Sequence, residues 1–223
     1  MRCADTNYLL TGHERMSEAQ FITIEGIEGV GKSTQCALLA NALKQDCGIE
    51  IELTREPGGT KLGEAIRSIV LDPNLPPMTG HAELLLMFAA RAEHLSKVIR
   101  PALSNGRWVI CDRFTDATYA YQGGGRNLDS TTISSLEKLV QSGLTPGLTI
   151  LLDIDVEIAL RRLLLRGTTD RFEGEQHDFF ERVRASYLKL AENYPNRIVV
   201  VDGSPKAGIV HESILSIVRE RLS

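Results

Sequence analysis

Eight residues constrain this chain more than any others: Gly26-Ile27-Glu28-Gly29-Val30-Gly31-Lys32-Ser33 satisfies the pattern G-x-x-x-x-G-K-[ST]. The pattern cradles phosphate when a strand ends at its first glycine and a helix opens at its lysine. Both conditions are met. The apolar run Phe21-Ile22-Thr23-Ile24-Glu25 precedes it, and a helical periodicity begins at Lys32. The glycines let successive backbone N–H groups turn toward one anion, and the helix N-terminus adds a favourable dipole. Lys32 can then reach β- and γ-phosphates, and the Ser33 hydroxyl can ligate Mg²⁺. Gly26, Ile27, Glu28, Gly29, Val30, Gly31, Lys32, Ser33 and Thr34 are therefore the expected triphosphate-binding residues.

A strand–loop–helix of this kind needs a parallel sheet around it, and the rest of the chain supplies one. Short apolar runs at Phe21–Glu25, Ile49–Thr54, Trp108–Cys111, Leu148–Leu152 and Arg197–Val201 read as five strands. Several are too apolar to alternate, as strands covered on both faces are. Helical patterns lie between them, at Lys32–Gln45, Leu62–Val70, Ala82–Ser104, Ser130–Ser142, Val156–Arg166, Asp178–Asn193 and Ala207–Arg221. This alternation predicts an α/β fold built of βαβ units. The run Asp72-Pro73-Asn74-Leu75-Pro76-Pro77 reads as a rigid connection, and Gly123-Gly124-Gly125 as a flexible one. With 223 residues and no repeat or low-complexity tract, residues 20–223 are expected to form one domain. Residues 1–19 are polar and lack an apolar core, so they are expected to form a loose extension rather than a secretory signal. Met16 is an alternative start to Met1.

A phosphate cradle alone leaves three kinds of protein open: a GTPase switch, an ATPase motor or a small-molecule kinase. The sequence has no N-K-x-D guanine motif. The strand that could carry a motor's acidic pair ends Leu152-Asp153-Ile154-Asp155, where Asp155 reads as a helix cap and Asp153 stays open. A formal net charge of -4 without a basic block argues against a nucleic-acid or anionic-membrane partner. No run approaches the roughly 18–20 apolar residues of a membrane span. Cys3, Cys36, Cys47 and Cys111 form no C-x-x-C pair, which predicts reduced thiols in a cytoplasmic protein.

Four further motifs fall at strand ends or helix faces and point to a second phosphate site. They are Thr54-Arg55-Glu56-Pro57-Gly58-Gly59-Thr60, Met87-Phe88-Ala89-Ala90-Arg91, Asp112-Arg113-Phe114 and Thr118-Tyr119-Ala120-Tyr121-Gln122-Gly123-Gly124-Gly125-Arg126. In doubly wound sheets, ligands gather at the carboxyl ends of the strands, so these pieces should converge opposite the cradle. Together with the cradle they resemble the thymidylate kinases, especially the bacterial type, over nearly the whole chain from Phe21 onward.

The resemblance implies an adenylate-kinase-like three-layer fold with helices on both faces of the sheet, a short lid at about residues 166–176, and a homodimer. It also implies transfer of the γ-phosphoryl of ATP to dTMP, giving dTDP and ADP on the way to dTTP. Catalytic roles would fall to Lys32, Glu28, Asp112 and Arg166, and Mg²⁺ would lie between Ser33 and Asp112. Glu28 matches the acid that contacts the acceptor's 3′-hydroxyl. Arg113 and Arg55 match arginines that hold its phosphate, a task suited to a planar, bidentate fork. Base recognition would involve Arg91, Thr118 and Gln122, with Tyr121 beneath the sugar and Phe88 stacking on the base. Many relatives carry the stacking phenylalanine four residues before the arginine, where this chain has Met87. Arg166 is the candidate lid arginine for the transferring phosphoryl, with Arg162 and Arg171 next on the ATP side. The loop Asp202-Gly203-Ser204-Pro205 is the candidate adenine edge. A kinase for another monophosphate, differing at Arg91, Thr118, Tyr121 and Gln122, and a P-loop switch or sensor are the alternatives.

Overall fold

The computed structural model describes residues 20–165, 170–173 and 175–222. The expected N-terminal extension, Arg166 and much of the lid lie outside the described residues. Strands β1 (Phe21–Glu25), β2 (Ile51–Arg55), β3 (Trp108–Asp112), β4 (Leu148–Asp153) and β5 (Ile198–Asp202) form one sheet in the order β2-β3-β1-β4-β5. Every pairing among them is parallel. All five expected strands form, with ends displaced by one or two residues.

The sheet is covered by helices that bury opposite pleats of the same strands. Ile22, Ile24 and Ile110 pack with Leu39 and Leu43 of α1 (Lys32–Cys47). Phe21, Val109 and Cys111 pack with Leu95, Ile99 and Ala102 of the long helical stretch that enters β3. Alternation within each strand thus separates two buried faces, which is why the runs lack polar positions. Glu25 and Thr23 are buried polar exceptions; Thr23 shares a 2.8 Å hydrogen bond with Thr149 of β4.

The helical segment expected over Ala82–Ser104 is three pieces end to end: α3 (Gly80–His94), a π-helical stretch (Leu95–Ile99) and α4 (Arg100–Ser104). The side-chain oxygens of Thr60 and Thr79 accept from first-turn N–H groups of α2 (Lys61–Leu71) and α3. Asp129 does the same for α6 (Ser130–Gln141), and Asp155 for α7 (Val156–Leu164). Asp155 is thus a cap, while Asp153 is held by Arg184 through bonds of 2.6 and 2.8 Å.

The expectation of a flexible Gly123-Gly124-Gly125 is overturned. Residues Thr115–Thr118 form α5, and Tyr119–Gly125 continue it as a π-helical turn packed against α8 (His177–Asn193). A Cβ on Gly124 would lie 1.9 Å from Ser186 Oγ, and one on Gly125 would lie 2.5 Å from Phe179 Cε2. The glycines permit close helix–helix approach here, and that packing outweighs their low helix propensity. The last helix, α9 (Ala207–Leu222), packs on α1. No helix among the described residues is long and apolar enough to cross a membrane.

Candidate active site

The loop between β1 and α1 builds the floor of a cavity of about 410 Å³. Gly29 sits at φ 78°, and a Cβ there would come 2.4 Å from the Ala159 carbonyl oxygen. Both facts restrict this position to glycine. Lys32 is 8% exposed and donates from Nζ to the Ile27 carbonyl at 2.7 Å. Burial, followed by the like charge of Arg113, pulls its pKa down to about 8, against the pull of Asp112, Glu28 and Glu25. An ammonium held this way gains on meeting phosphate anions.

Ser33 opens the next turn and donates from Oγ to Asp112 Oδ2 at 2.6 Å. The two are neighbours because Asp112 ends β3, whose residues pair with β1 in register Ile24↔Asp112. A hydroxyl and a carboxylate are hard oxygen donors. No group of three or more His, Cys, Asp or Glu side chains among the described residues could hold a metal ion by itself. The pair therefore fits an ion such as Mg²⁺, which takes one or two protein ligands and fills its sphere with water and phosphate.

Three guanidiniums line the same cavity: Arg55, Arg67 and Arg113. Arg55 ends β2 and pairs with Glu64 at 2.8 Å, half exposed. Arg67, on α2, donates to the Pro57 carbonyl at 3.0 Å. Burial pushes its pKa below the ordinary arginine value, and the charges of Arg55 and Arg113 push it further. Like charges that depress a guanidinium in this way mark a place where an anion would be stabilising. Arg67 escapes the sequence reading because it belongs to no linear motif; it arrives one helical face beyond the Arg55–Thr60 loop. The Glu56–Pro57 bond is cis.

Arg113 takes a left-handed backbone, φ 71°, and turns its side chain into a buried network. Its Nη2 donates to Glu28 Oε1 at 2.8 Å and to the Tyr121 hydroxyl at 2.9 Å, and Nη1 donates to the Tyr187 hydroxyl at 3.2 Å. Tyr121 also hydrogen-bonds Glu28. Tyr187 donates to Glu25 Oε2 at 2.8 Å, while Glu25 Oε1 accepts from the Phe114 N–H at 2.6 Å. Burial raises the Glu25 carboxyl to about 7, with help from the Asp116 charge; Arg113 and the two hydrogen bonds oppose the rise. Glu25 and Tyr187 were not legible as site residues, since one reads as a strand end and the other as the apolar face of a helix.

The remaining expected site residues separate into those that line the cavity and those that do not. Met87 lines the cavity. Phe88 does not: it is 2% exposed and packs with Leu84 and Ile133 in the core, which corrects its expected stacking role. Adjacent residues on a helix point about 100° apart, and here Met87 takes the cavity side and Phe88 the core side. Arg91, Thr118 and Gln122 are buried and do not line the cavity, whereas their neighbours Met87, Ala117 and Tyr121 do. Arg91 donates from Nε to Glu56 Oε2 at 2.7 Å and from Nη2 to Thr118 Oγ1 at 3.0 Å and the Phe114 carbonyl at 3.1 Å. Its Nη1 and the Gln122 Oε1 are buried with no partner in the protein.

On the other side, Arg162 donates to the carbonyls of Gly203 (3.0 Å) and Ser204 (2.8 Å), joining α7 to the loop after β5. Arg171 is not directed at the phosphate cradle. It donates from Nε to the Val70 carbonyl at 2.7 Å and from Nη2 to Glu83 Oε2 at 2.6 Å. Its neighbour Phe172 lines the cavity and meets Tyr121 edge-on, ring centroids 5.7 Å apart.

This arrangement, a glycine-rich loop with its lysine and three guanidiniums on one cavity, agrees with the comparisons to known proteins. The family model described as thymidylate kinase matches residues 24–214. A thymidylate kinase of Chromohalobacter salexigens is 55% identical over 210 residues, 93% of this chain and 99% of that protein. One of Nitrosomonas europaea is 51% identical over 205 residues, covering 92% of this chain and 94% of its own. The crystal structure of thymidylate kinase from Ehrlichia chaffeensis superposes with a TM-score of 0.75 at 34% identity, over 90% of this chain and 98% of that one. The chain belongs to the thymidylate kinase family.

Proposed function

We propose that this enzyme transfers the γ-phosphoryl of ATP to the 5′-phosphate of dTMP, giving dTDP and ADP for dTTP synthesis. The observation that carries the reading is one cavity lined both by Lys32 and its loop and by Arg55, Arg67 and Arg113. A single hydrolysed nucleotide would leave the three guanidiniums without a task.

An oxygen of the acceptor phosphate attacks the γ-phosphorus, and the bond from that phosphorus to the β,γ-bridging oxygen breaks. The attacking oxygen is already anionic near neutral pH, so positioning and charge neutralisation do the work. Lys32 and the loop N–H groups of Gly26–Ser33 hold the donor phosphates. Arg113, with Arg55 and Arg67, holds the acceptor phosphate. Glu28, held by Arg113 and Tyr121, would meet the acceptor's 3′-hydroxyl. The Tyr121 ring, packed among Phe172, Phe179 and Tyr187, supplies bulk against a 2′-hydroxyl. Ser33 and Asp112 would hold Mg²⁺, which when bound neutralises charge on the β- and γ-phosphate oxygens. Arg91, Thr118 and Gln122 would read the pyrimidine edge, and Met87 rather than Phe88 would face the base. Arg162 would border the adenine, and Arg166 would reach the transferring phosphoryl. We further propose a cytoplasmic homodimer with no nucleic-acid or membrane partner; light scattering that returns a monomer contradicts the dimer.

The test follows the label from [γ-³²P]ATP. In the presence of dTMP it should appear in dTDP, and Lys32→Ala should lower that transfer by about 10²–10³-fold while leaving the fold intact. Label released as inorganic phosphate at the same rate with or without dTMP would instead indicate a switch or sensor.

A further inference from the structure

Glu83 is a fully buried carboxylate in the first turn of α3, 0% exposed, and it belongs to none of the linear motifs. Three side chains converge on it. Gln122 donates from Nε2 to Oε1 at 2.8 Å; Arg171 donates to Oε2 at 2.6 Å; Arg126 pairs with it at 3.3 Å. Both carboxylate oxygens are thus met by donors, two guanidiniums and one amide NH₂.

That has a consequence for Gln122. The two ends of a side-chain amide are nearly equal in size, so packing alone does not choose which end faces which way. A carboxylate chooses, because it takes the NH₂ and rejects the carbonyl. Gln122 Oε1 is thereby left over, buried and without a partner in the protein. Arg91 Nη1 is left over in the same way, on a residue that shares Thr118 with the same helical turn. The two stranded groups belong to neighbours of cavity-lining residues: Arg91 lies one turn beyond Met87 on α3, and Gln122 follows Tyr121. Buried orphans of this kind are costly unless a ligand completes them. A thymine-type imide edge offers a ring N–H to the acceptor and a carbonyl to the donor. A cytosine edge offers a ring lone pair and an amino group, the reverse of both.

We propose that Glu83 is a positioning residue that fixes the Gln122 amide with its carbonyl turned to the base, and so sets the preference for dTMP over dCMP. The inference rests on the dTMP reading above. Glu83 touches no substrate; it acts through Gln122.

The test is the ratio of kcat/KM for dTMP to that for dCMP. Glu83→Gln is nearly isosteric but can donate, so the Gln122 amide is free to turn. The ratio should fall at least about tenfold, mainly through KM for dTMP, with KM for ATP unchanged. In a Gln122→Ala background, the same substitution should leave the ratio within about twofold, since the group it acts through is gone. An unchanged ratio in folded Glu83→Gln overturns the proposal, as does an equal fall in both backgrounds or an equal loss for both acceptors. If Glu83→Gln does not fold, Glu83→Asp carries the test. It keeps a charge for Arg126 and Arg171 but withdraws the carboxylate from Gln122; the same fall in ratio supports the proposal and an unchanged ratio overturns it. The wild-type arm separates the two readings. A wild type that does not phosphorylate dTMP overturns both, whereas an active wild type with an unmoved ratio overturns only the role of Glu83.

Discussion

Lys32 is held in conflict: its ammonium is buried, with Arg113 nearby, and its pKa falls to about 8. Burial disfavours the charged form, so the free enzyme carries the cation below about pH 8 and loses it above. The parameter kcat/KM reports the free enzyme. For ATP it should therefore decline above about pH 8, approaching a tenfold loss per pH unit, and a flat profile to pH 9.5 would contradict the assignment. Lys32, Ser33 and Asp112 could be read from the sequence because short linear patterns carry them to adjacent strand ends. Arg67, Tyr187 and Glu83 could not, because each reaches its place through helix packing that no local pattern records, and Glu25, ending β1, draws its partners from Phe114 and Tyr187, distant in sequence. The Met87–Phe88 pair shows the limit sharply. Both lie on one turn of α3, and only the rotation of that helix against Leu84 and Ile133 decides which ring or thioether meets the cavity.

At the scale of elements, the π-helical turn Tyr119–Gly125 carries much of the site, since Tyr121 and Gln122 project from it. Its three glycines look like slack in the sequence, where propensity is the available guide. Contact with α8 turns them into a fitted surface. An added Cβ at Gly125 would meet Phe179 Cε2 at 2.5 Å, Cζ at 2.8 Å and Val183 Cγ2 at 3.0 Å. The Phe179 ring cannot swing aside freely, being buried against Phe180 and Tyr121. Gly125→Ala should therefore force α8 outward and destabilise by about 1–3 kcal/mol. For a chain of this length, that lowers Tm by several degrees on a calorimetric scan. An unchanged Tm would show that the contact yields without cost. Strands and most helices were legible by contrast, because two-sided burial and caps such as Thr60, Thr79 and Asp155 leave marks within a few residues.

For the whole molecule, strand order does what no single element can. With β1 central and β3 beside it, the loop after β1, Arg55 after β2 and Asp112–Arg113 after β3 open toward one cavity. The sequence pattern predicted parallel strands but not their order, which depends on how the helices pack across both faces. The order brings the donor loop and the acceptor guanidiniums to one cavity, which is the structural ground for a reaction between two nucleotides. The most direct test is ADP release from Mg²⁺·ATP with dTMP, dUMP, UMP, dCMP, AMP and GMP offered in parallel. The account predicts strong activation by dTMP, weaker activation by dUMP and little by the others. Failure of every monophosphate to stimulate release from folded, ATP-binding protein would contradict it.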